Sequence, residues 1–273
     1  MKSVLVRLEE YSAGAPMSAA ESGVVEFLQK QPRAAAELSI HTLAQRTFSS
    51  PSTIVRMCHR LGFDGYKEFR RTLQYELAVR DRGPRPQSGE ISPADALDVL
   101  AEKVTALNAA ALQDTLGLLD PAVLRRSVDL LCAARTIGVF GCPGSQEAAR
   151  DACFKLLRLG RACAYSEDER ARTLLAGSLG RDDAALVLCY TGADTALLDC
   201  ARTLRAHDAP VIAVTRFSAS PLTALADCCL YTAAGDSQLF SGEMSSRAGQ
   251  MDLVDILYAA LACRSGAAAG AAT

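Results

Sequence analysis

The run Ser50-Pro51-Ser52-Thr53-Ile54-Val55-Arg56-Met57-Cys58-His59-Arg60-Leu61-Gly62 carries the strongest helix-start signal in the chain. Ser50 offers a side-chain oxygen to the orphan amides of a first turn, and Pro51 sits where a missing N–H costs nothing. Gly62 is placed to end the helix as a C-cap. At the helical period of about 100° per residue, Ile54, Met57, Cys58 and Leu61 fall on one side. Ser52, Arg56 and His59 fall opposite, flanked by Thr53 and Arg60. One face is core; the other carries hydroxyl, guanidinium and imidazole groups.

Upstream, Ser39 caps a shorter helix, Ile40–Arg46, with Leu43 and Ala44 inward, and Thr47-Phe48-Ser49 makes the break. Two short helices so closely joined form a helix-turn-helix. Glu21–Gln31 precedes them as a helix burying Val24, Val25, Phe27 and Leu28, ended by Pro32; Phe63-Asp64-Gly65-Tyr66 turns into a further helix, Lys67–Leu77. Residues 1–78 therefore read as an all-α helix-turn-helix domain that binds double-stranded DNA. Arginine grips guanine through two parallel hydrogen bonds, which makes Arg56 the best base reader. Ser50, Ser52, Thr53, His59 and Arg60 complete the expected DNA face, and Lys67, Arg70 and Arg71 suit phosphate contacts. A plain solvated helix face is the alternative for any three of these residues alone.

Charge supports a local rather than a global interface. The formal net charge of −2 excludes a protein that holds nucleic acid by its whole-chain field. Residues 1–82 nevertheless hold 12 Lys/Arg against 9 Asp/Glu, so the basic excess lies in the helical head.

At 273 residues, 49% apolar and 22% charged, the chain is long enough for a second domain with its own core. Residues 79–95 are polar and contain Pro84 and Pro86, as a linker does. Beyond it, Ala94–Leu119 and a helix from Pro121 lead into five compact apolar runs: Thr136–Phe140, Ala162–Tyr165, Ala185–Tyr190, Pro210–Thr215 and Cys228–Thr232. Candidate helices Gln146–Leu159, Arg170–Leu179, Thr195–Ala206 and Pro221–Ala226 alternate with them, and Ser246–Cys263 closes the domain. Apolar strands alternating with helices imply a doubly wound α/β domain with a parallel sheet covered on both faces, over residues 96–264. The small-residue tail, 265–273, is expected to be disordered.

In such a sheet, ligands sit beyond the carboxyl ends of the strands. The loops there offer Gly141, Gly144 and Ser145, then Thr191, Gly192 and Thr195, then Ser218 and Ser220. Converging hydroxyls and a glycine-rich turn into a helix suit a polyhydroxylated, anionic small molecule. The alternative is that these hydroxyls only cap the helices that follow. A dinucleotide site using Glu167 or Asp168 lacks the required glycines.

The ten cysteines contain no C-x-x-C pair and read as reduced thiols; Cys142 reads as a small loop-filling residue, with a redox sensor as the alternative. No cluster has metal-ligand spacing and no cofactor is implied. No signal peptide or membrane span is visible, so a cytoplasmic location is expected.

The stretches Leu38-Ser39-Ile40, Leu43-Ala44, Ser50-Pro51-Ser52-Thr53-Ile54-Val55-Arg56 and Leu61-Gly62-Phe63-Asp64-Gly65-Tyr66-Lys67-Glu68-Phe69 resemble the N-terminal domain of the RpiR/MurR family of bacterial transcriptional regulators. Residues 124–264 resemble its SIS (sugar isomerase) domain, including the runs at 220–227 and 245–250. The resemblance implies a regulator whose SIS domain senses a phosphosugar, with Ser145 binding phosphate and Thr191 standing where serine is usual. Four departures matter. Phe48 replaces a usual turn glycine and should resist a left-handed backbone. Pro143 deletes an amide donor, Cys189 occupies a serine position, and Asp194 stands where threonine is usual. The last three should weaken phosphate binding, with Arg216 as a compensating charge.

The expected function is DNA binding controlled by a sugar phosphate or related metabolite, in a homodimer or homotetramer built through Ala94–Leu119 and Ser246–Cys263. A sugar-phosphate isomerase or lyase is the alternative. It needs a base at the substrate carbon, and Glu147 and Glu243 are its candidates, but both read better as helix-start or loop carboxylates. His41 and His59 lie in the head and His207 at a helix end, so a non-enzymatic protein is expected.

Overall fold

The computed structural model describes residues 4–14, 17–81, 91–233 and 243–265, and the chain divides into two compact units, Met1–Gln87 and Ser88–Thr273. The first unit is helical: α1 (Val4–Gly14), α2 (Ala19–Lys30), α3 (Pro32–Glu37), α4 (Ile40–Arg46), α5 (Pro51–Arg60) and α6 (Tyr66–Asp81). Its core joins Leu8, Val24, Leu28, Leu43, Ile54, Met57, Phe69 and Leu73, all fully buried. Pro32 does not merely end the second helix. Gln31 caps α2, and Pro32 then opens α3, where its fixed φ suits a first turn.

The turn after α5 shows why its residues stand in that order. Gly62 takes φ +83°, and the amides of Gly62 and Phe63 bond back to His59 and Cys58 at 2.9 Å. This left-handed cap turns Phe63 into the core, where it meets Phe69 edge to face at 5.5 Å. The Tyr66 hydroxyl donates to the carbonyl of Leu38 at 3.0 Å, fastening α6 to the end of α3. Burial pushes the Tyr66 phenol up to about 12, so it stays a donor at physiological pH.

The second unit runs α7 (Leu97–Leu118), α8 (Pro121–Ala133), β1 (Ile137–Gly141), a 3-10 turn (Pro143–Ser145), α9 (Gln146–Arg158), β2 (Cys163–Tyr165), α10 (Glu169–Ser178) and β3 (Ala184–Leu188). It continues through α11 (Thr195–Ala206), β4 (Val211–Arg216), α12 (Pro221–Leu225), β5 (Cys228–Thr232) and α13 (Glu243–Ser265). The strands form one parallel sheet in the order β2-β1-β3-β4-β5. β1 and β3 are buried at every residue, as central strands covered on both faces must be. Val139, Leu186 and Val214 pack beneath α8, α9 and α13; Phe140, Val187 and Ala213 pack beneath α10 and α11. The doubly wound α/β expectation therefore holds. The third strand is shorter than its apolar run, although the Cys189 amide and the Tyr190 carbonyl still bond β4 at 3.0 Å.

One carboxylate ties the sheet together at its amino edge. Asp183, almost wholly buried, accepts hydrogen bonds from the Arg135 guanidinium at 3.1 and 3.2 Å and from the amides of Thr136 and Gly180 at 3.1 and 3.0 Å. These contacts, led by Arg135, hold its carboxyl below the usual range. Because the folded-state value is depressed, the stabilisation is complete above about pH 4 and is lost as pH falls through the folded value. We expect Asp183→Ala to cost about 2–3 kcal/mol in urea unfolding at pH 7. In Asp183→Asn, the loss of stability below pH 4 should be shallower than in the native protein.

Candidate functional site

On α5, Ser52, Arg56, His59 and Arg60 are exposed, and Ile54, Met57 and Cys58 are fully buried. Ser50 Oγ accepts the Thr53 amide at 3.2 Å, the cap that starts the helix. Thr53 corrects the periodicity reading: it is buried, with its hydroxyl 2.9 Å from Ser50 Oγ, so it serves the cap rather than the outward face. The remaining polar residues differ in freedom. Arg60 bonds the Tyr11 hydroxyl and the Glu21 carboxylate, both at 3.2 Å, and His59 Nδ1 lies 3.1 Å from the Phe63 carbonyl. Arg70 donates to the Leu38 carbonyl at 3.2 Å, while Lys67 is exposed.

Between α4 and α5, Phe48 adopts the left-handed conformation, φ +49°, that its side chain was expected to resist, and it is 96% exposed. The turn geometry survives because neighbours secure it: the amides of Thr47 and Ser49 bond the carbonyls of Leu43 and Ala44 at 3.0 and 2.9 Å.

In the second unit the chain reverses its winding direction between β1 and β3, where a doubly wound sheet opens a crevice. Gly141 ends β1 with its carbonyl bonded to the Arg172 guanidinium at 3.1 Å. Gly144 is exposed, with open space where a β-carbon would stand. Ser145 is buried, its Oγ 3.5 Å from Cys142 Sγ. The loop after β3 lies against the loop after β4: a β-carbon at Gly192, φ +63°, would come 2.3 Å from Ser220 Oγ. Thr191 and Thr195 are exposed. Ser218 Oγ accepts from Arg216 Nε at 3.1 Å, and Ser220 caps α12.

Caps separate the four helix N-termini at this edge. Asp168, Asp194 and Ser220 each accept an amide of the helix they begin. For Ser220, capping is the plain role that the sequence left open. α9 alone of the four receives no side-chain cap, so its first-turn amides stay available to an anion.

Arg172, which the sequence reading passed over, and Gln250, the last residue of the run at 245–250, belong to this description. Arg172 is buried, and its Nε makes no hydrogen bond among the described residues. Gln250 of α13 is fully buried with both amide atoms unpartnered among them, and α13 packs against the Pro143–Ser145 turn. Each sits on an otherwise apolar stripe, Arg172-Leu175-Ala176-Leu179 and Gln250-Leu253-Val254-Leu257, and a polar residue in such a stripe is the signal that finds it. Elsewhere, a small apolar cleft under α9 and α13 is lined by Leu131, Leu156, Leu186 and Leu257. Its one charged group, Lys155, is already bonded to Asp151 and Asp255.

No candidate base stands out. Glu147 pairs with Arg150 at 3.0 Å, His207 caps the end of α11, and the side chain of Glu243 lies outside the described residues. No group of three His, Cys, Asp or Glu among the described residues is placed to hold a metal, and no described helix is long and apolar enough to cross a membrane.

A capped, polar-faced second helix in the head and a strand-end crevice in the body define a helix-turn-helix protein with a ligand-domain fold. Residues 6–80 match the helix-turn-helix domain of the rpiR family, and residues 130–260 match the SIS domain. The chain belongs to the RpiR family of transcriptional regulators. An uncharacterised helix-turn-helix-type transcriptional regulator of Caldanaerobacter subterraneus subsp. tengcongensis is 26% identical over 258 residues, 94% of this chain and 90% of that protein. The Vibrio vulnificus NanR protein complexed with ManNAc-6P is similar over 96% of this chain and 92% of its own, at 26% identity and a TM-score of 0.58. The sugar isomerase domain of the RpiR transcription factor from Sphaerobacter thermophilus covers 62% of this chain and 92% of its own, at 22% identity and a TM-score of 0.57, and shares the fold.

Phe48 holds a costly backbone conformation and packs on nothing within its unit. Phe48→Gly should therefore raise the stability of the head by about 1 kcal/mol, read as a higher denaturant midpoint.

Proposed function

We propose that this protein is a cytoplasmic, non-enzymatic regulator that binds duplex DNA through α5 and is controlled by a sugar phosphate bound at the β1–β3 crevice. The observation that carries the reading is the pairing of two features. Ser52, Arg56 and His59 form an outward polar face on a rigidly capped helix, and α9 offers an uncapped N-terminus beside buried Ser145 at the switch point of the sheet. Arg56 reads a base edge; Ser50, Ser52 and Lys67 hold phosphates, with His59, Arg60 and Arg70 at the margins of the contact. Gly141, Gly144 and Ser145 cradle the effector phosphate; Thr191, Gly192, Thr195, Ser218 and Ser220 form the facing wall. Arg172 steadies the cradle through the Gly141 carbonyl. The complex of the related NanR with ManNAc-6P supports the choice of ligand class.

One recognition helix spans too few base pairs for useful specificity, so two copies are required. α13 buries Leu253, Val254, Leu257 and Leu261 within its own unit. Exposed large apolar side chains of this unit instead lie on α7 (Leu97, Val99, Leu112 and Leu116) and α9 (Phe154 and Leu157), with Leu174 alone on α10. The proposed subunit contact therefore keeps α7 and replaces α13 with α9.

In a mobility-shift assay with the duplex upstream of its own gene, Arg56→Ala should weaken specific binding by about 1–3 kcal/mol, or roughly 5- to 150-fold. Lys67→Ala should weaken binding to all duplexes alike and reduce the salt dependence. Unchanged specific affinity in Arg56→Ala would remove the assigned reader. ManNAc-6P should raise the melting temperature of the native protein, because a ligand that binds only the folded state must stabilise it. Ser145→Ala should lower that affinity roughly tenfold or more, as expected for loss of a hydrogen bond to a charged group. If neither ManNAc-6P nor any hexose phosphate shifts the native protein, the crevice has another role.

A further inference from the structure

Two thiols meet at the switch point. The parallel register that pairs Gly141 with Leu188 places the next residues, Cys142 and Cys189, side by side, and the Cys142 amide bonds the Leu188 carbonyl at 3.2 Å. Side chains two residues apart on a strand share a face. Phe140 and Val187 both point into the core under α10 and α11, and Cys142 and Cys189 pack on that same side. Neighbouring strands lie about 4.8 Å apart, within the Cα separation of roughly 4.4–6.8 Å that a disulfide spans. The Cys142 thiol lies 3.5 Å from Ser145 Oγ and the Cys189 sulfur 3.7 Å from the Thr191 hydroxyl, so each sulfur has a hydroxyl beside it. Cys189 is buried, whereas Cys142 is partly exposed at the loop that opens the crevice.

We propose that Cys142 and Cys189 form a dithiol modification site whose substrate is a hydroperoxide, and that their oxidation to a disulfide locks the crevice against its effector. The second clause rests on the effector reading above; the first does not.

The electrostatics divide the labour. The adjacent Cys142 thiol, the nearby amides of Asp194 and Gly192 and the Thr191 hydroxyl 3.7 Å away favour the Cys189 thiolate and bring its thiol down to about 5, against the opposing effect of burial. The adjacent Cys189 sulfur, burial and the Asp194 carboxylate push Cys142 up. Cys189 is therefore the thiolate at neutral pH and Cys142 the protonated partner.

The Cys189 thiolate attacks the terminal oxygen of the hydroperoxide. An S–O bond forms, the O–O bond breaks, and the departing alkoxide or hydroxide takes a proton from water. The Cys142 sulfur then attacks the Cys189 sulfenic sulfur: the S–S bond forms, the S–O bond breaks, and water leaves with the Cys142 proton. The thiol pair loses two electrons and the peroxide gains two. A bond here joins the loop after β1, which carries Ser145, to the loop after β3, which carries Thr191.

The test uses the full-length chain, reduced and desalted, then treated with equimolar hydrogen peroxide. Intact mass should fall by about 2 Da, as two hydrogens are lost, and non-reducing peptide mapping should give a Cys142–Cys189 cross-link that dithiothreitol reverses. Cys142→Ser should stop at a Cys189 sulfenic acid that dimedone traps. The oxidation rate should be nearly flat from pH 6 to 8, whereas an ordinary thiol with a pKa of about 8.5 slows by roughly 70-fold between pH 8 and 6. Absence of the cross-link, or a cross-link confined to the separate pair Cys153 and Cys163 on the opposite face of the sheet, overturns the proposal. Reduced protein should gain a thermal shift with ManNAc-6P that oxidised protein lacks. A full shift in the oxidised protein overturns the locking step. No shift in the reduced protein overturns the effector reading, and the locking step falls with it, while a mapped cross-link upholds the thiol site.

Discussion

The in-register pairing of β1 with β3 is the constraint on which the second unit depends. Residue-by-residue pairing from Ile137 with Ala184 to Gly141 with Leu188 aligns the strand ends. The two loops therefore leave the sheet side by side, one toward α9 and the other toward α11. A slip of one residue would turn Val139 and Leu186 out of one core and Phe140 and Val187 out of the other. Such a slip would also separate Cys142 from Cys189. Asp183 secures the amino end of the same pair by bonding Arg135, Thr136 and Gly180. The switch point is thus held at both ends by groups that belong to β1 and β3 or to their immediate neighbours.

The head solves a different problem with local devices. α5 has only 10 residues, too few to persist alone. It is held by a Ser50 cap, a first-turn proline, a left-handed Gly62 and a buried face that reaches Phe69 and Leu73. Those supports are all on the inward side or at the ends. On the outward side Arg56 is exposed, whereas the Ser52 hydroxyl joins the Ser50 cap at 2.8 Å and Arg60 is drawn into the pair with Glu21. Rigid backbone and unengaged side chains are what a base-reading helix needs, because ordering the reader in advance reduces the entropy lost on binding.

Much of this was legible in the residues, and the gaps have physical causes. The cap-and-proline start of α5, the glycine stop, the five strands and the doubly wound order follow from turn chemistry and period alone. α1 escaped because its charges at Arg7, Glu9 and Glu10 mask a short inward stripe of Val4, Leu5 and Leu8 that only tertiary contact reveals. α3 escaped because a proline was read as a stop when it was the start of the next helix. Thr53 lies at the border of two faces, where a period cannot assign burial, and its own cap drew it inward. Arg172 was hidden by its company, since a stripe reading counts the apolar residues and overlooks the polar one among them; Gln250 was marked only as the end of the run at 245–250, with no role attached. The strand-end loops do follow neighbouring parallel strands, and those after β3 and β4 touch at Gly192 and Ser220. Which hydroxyls were already engaged as caps depended on hydrogen bonds that no spacing encodes.

The departures from the family pattern around the crevice form one consistent set. Asp194 supplies its own carboxylate to the Leu197 amide at 2.9 Å, so the N-terminus of α11 already holds an anion. The Gly192 amide is spent on the Cys189 carbonyl at 3.1 Å, and the Cys189 sulfur stands beside the Thr191 hydroxyl at 3.7 Å. Pro143 removes an amide from the first loop, yet it also starts the 3-10 turn that carries Ser145 to the head of α9. Each change draws phosphate-binding capacity away from the second loop and leaves the first loop with the uncapped helix. The β1 side of the crevice is therefore left with the uncapped start of α9, while the β3 side carries the Asp194 carboxylate, already engaged at the start of α11, next to the buried Cys189 sulfur.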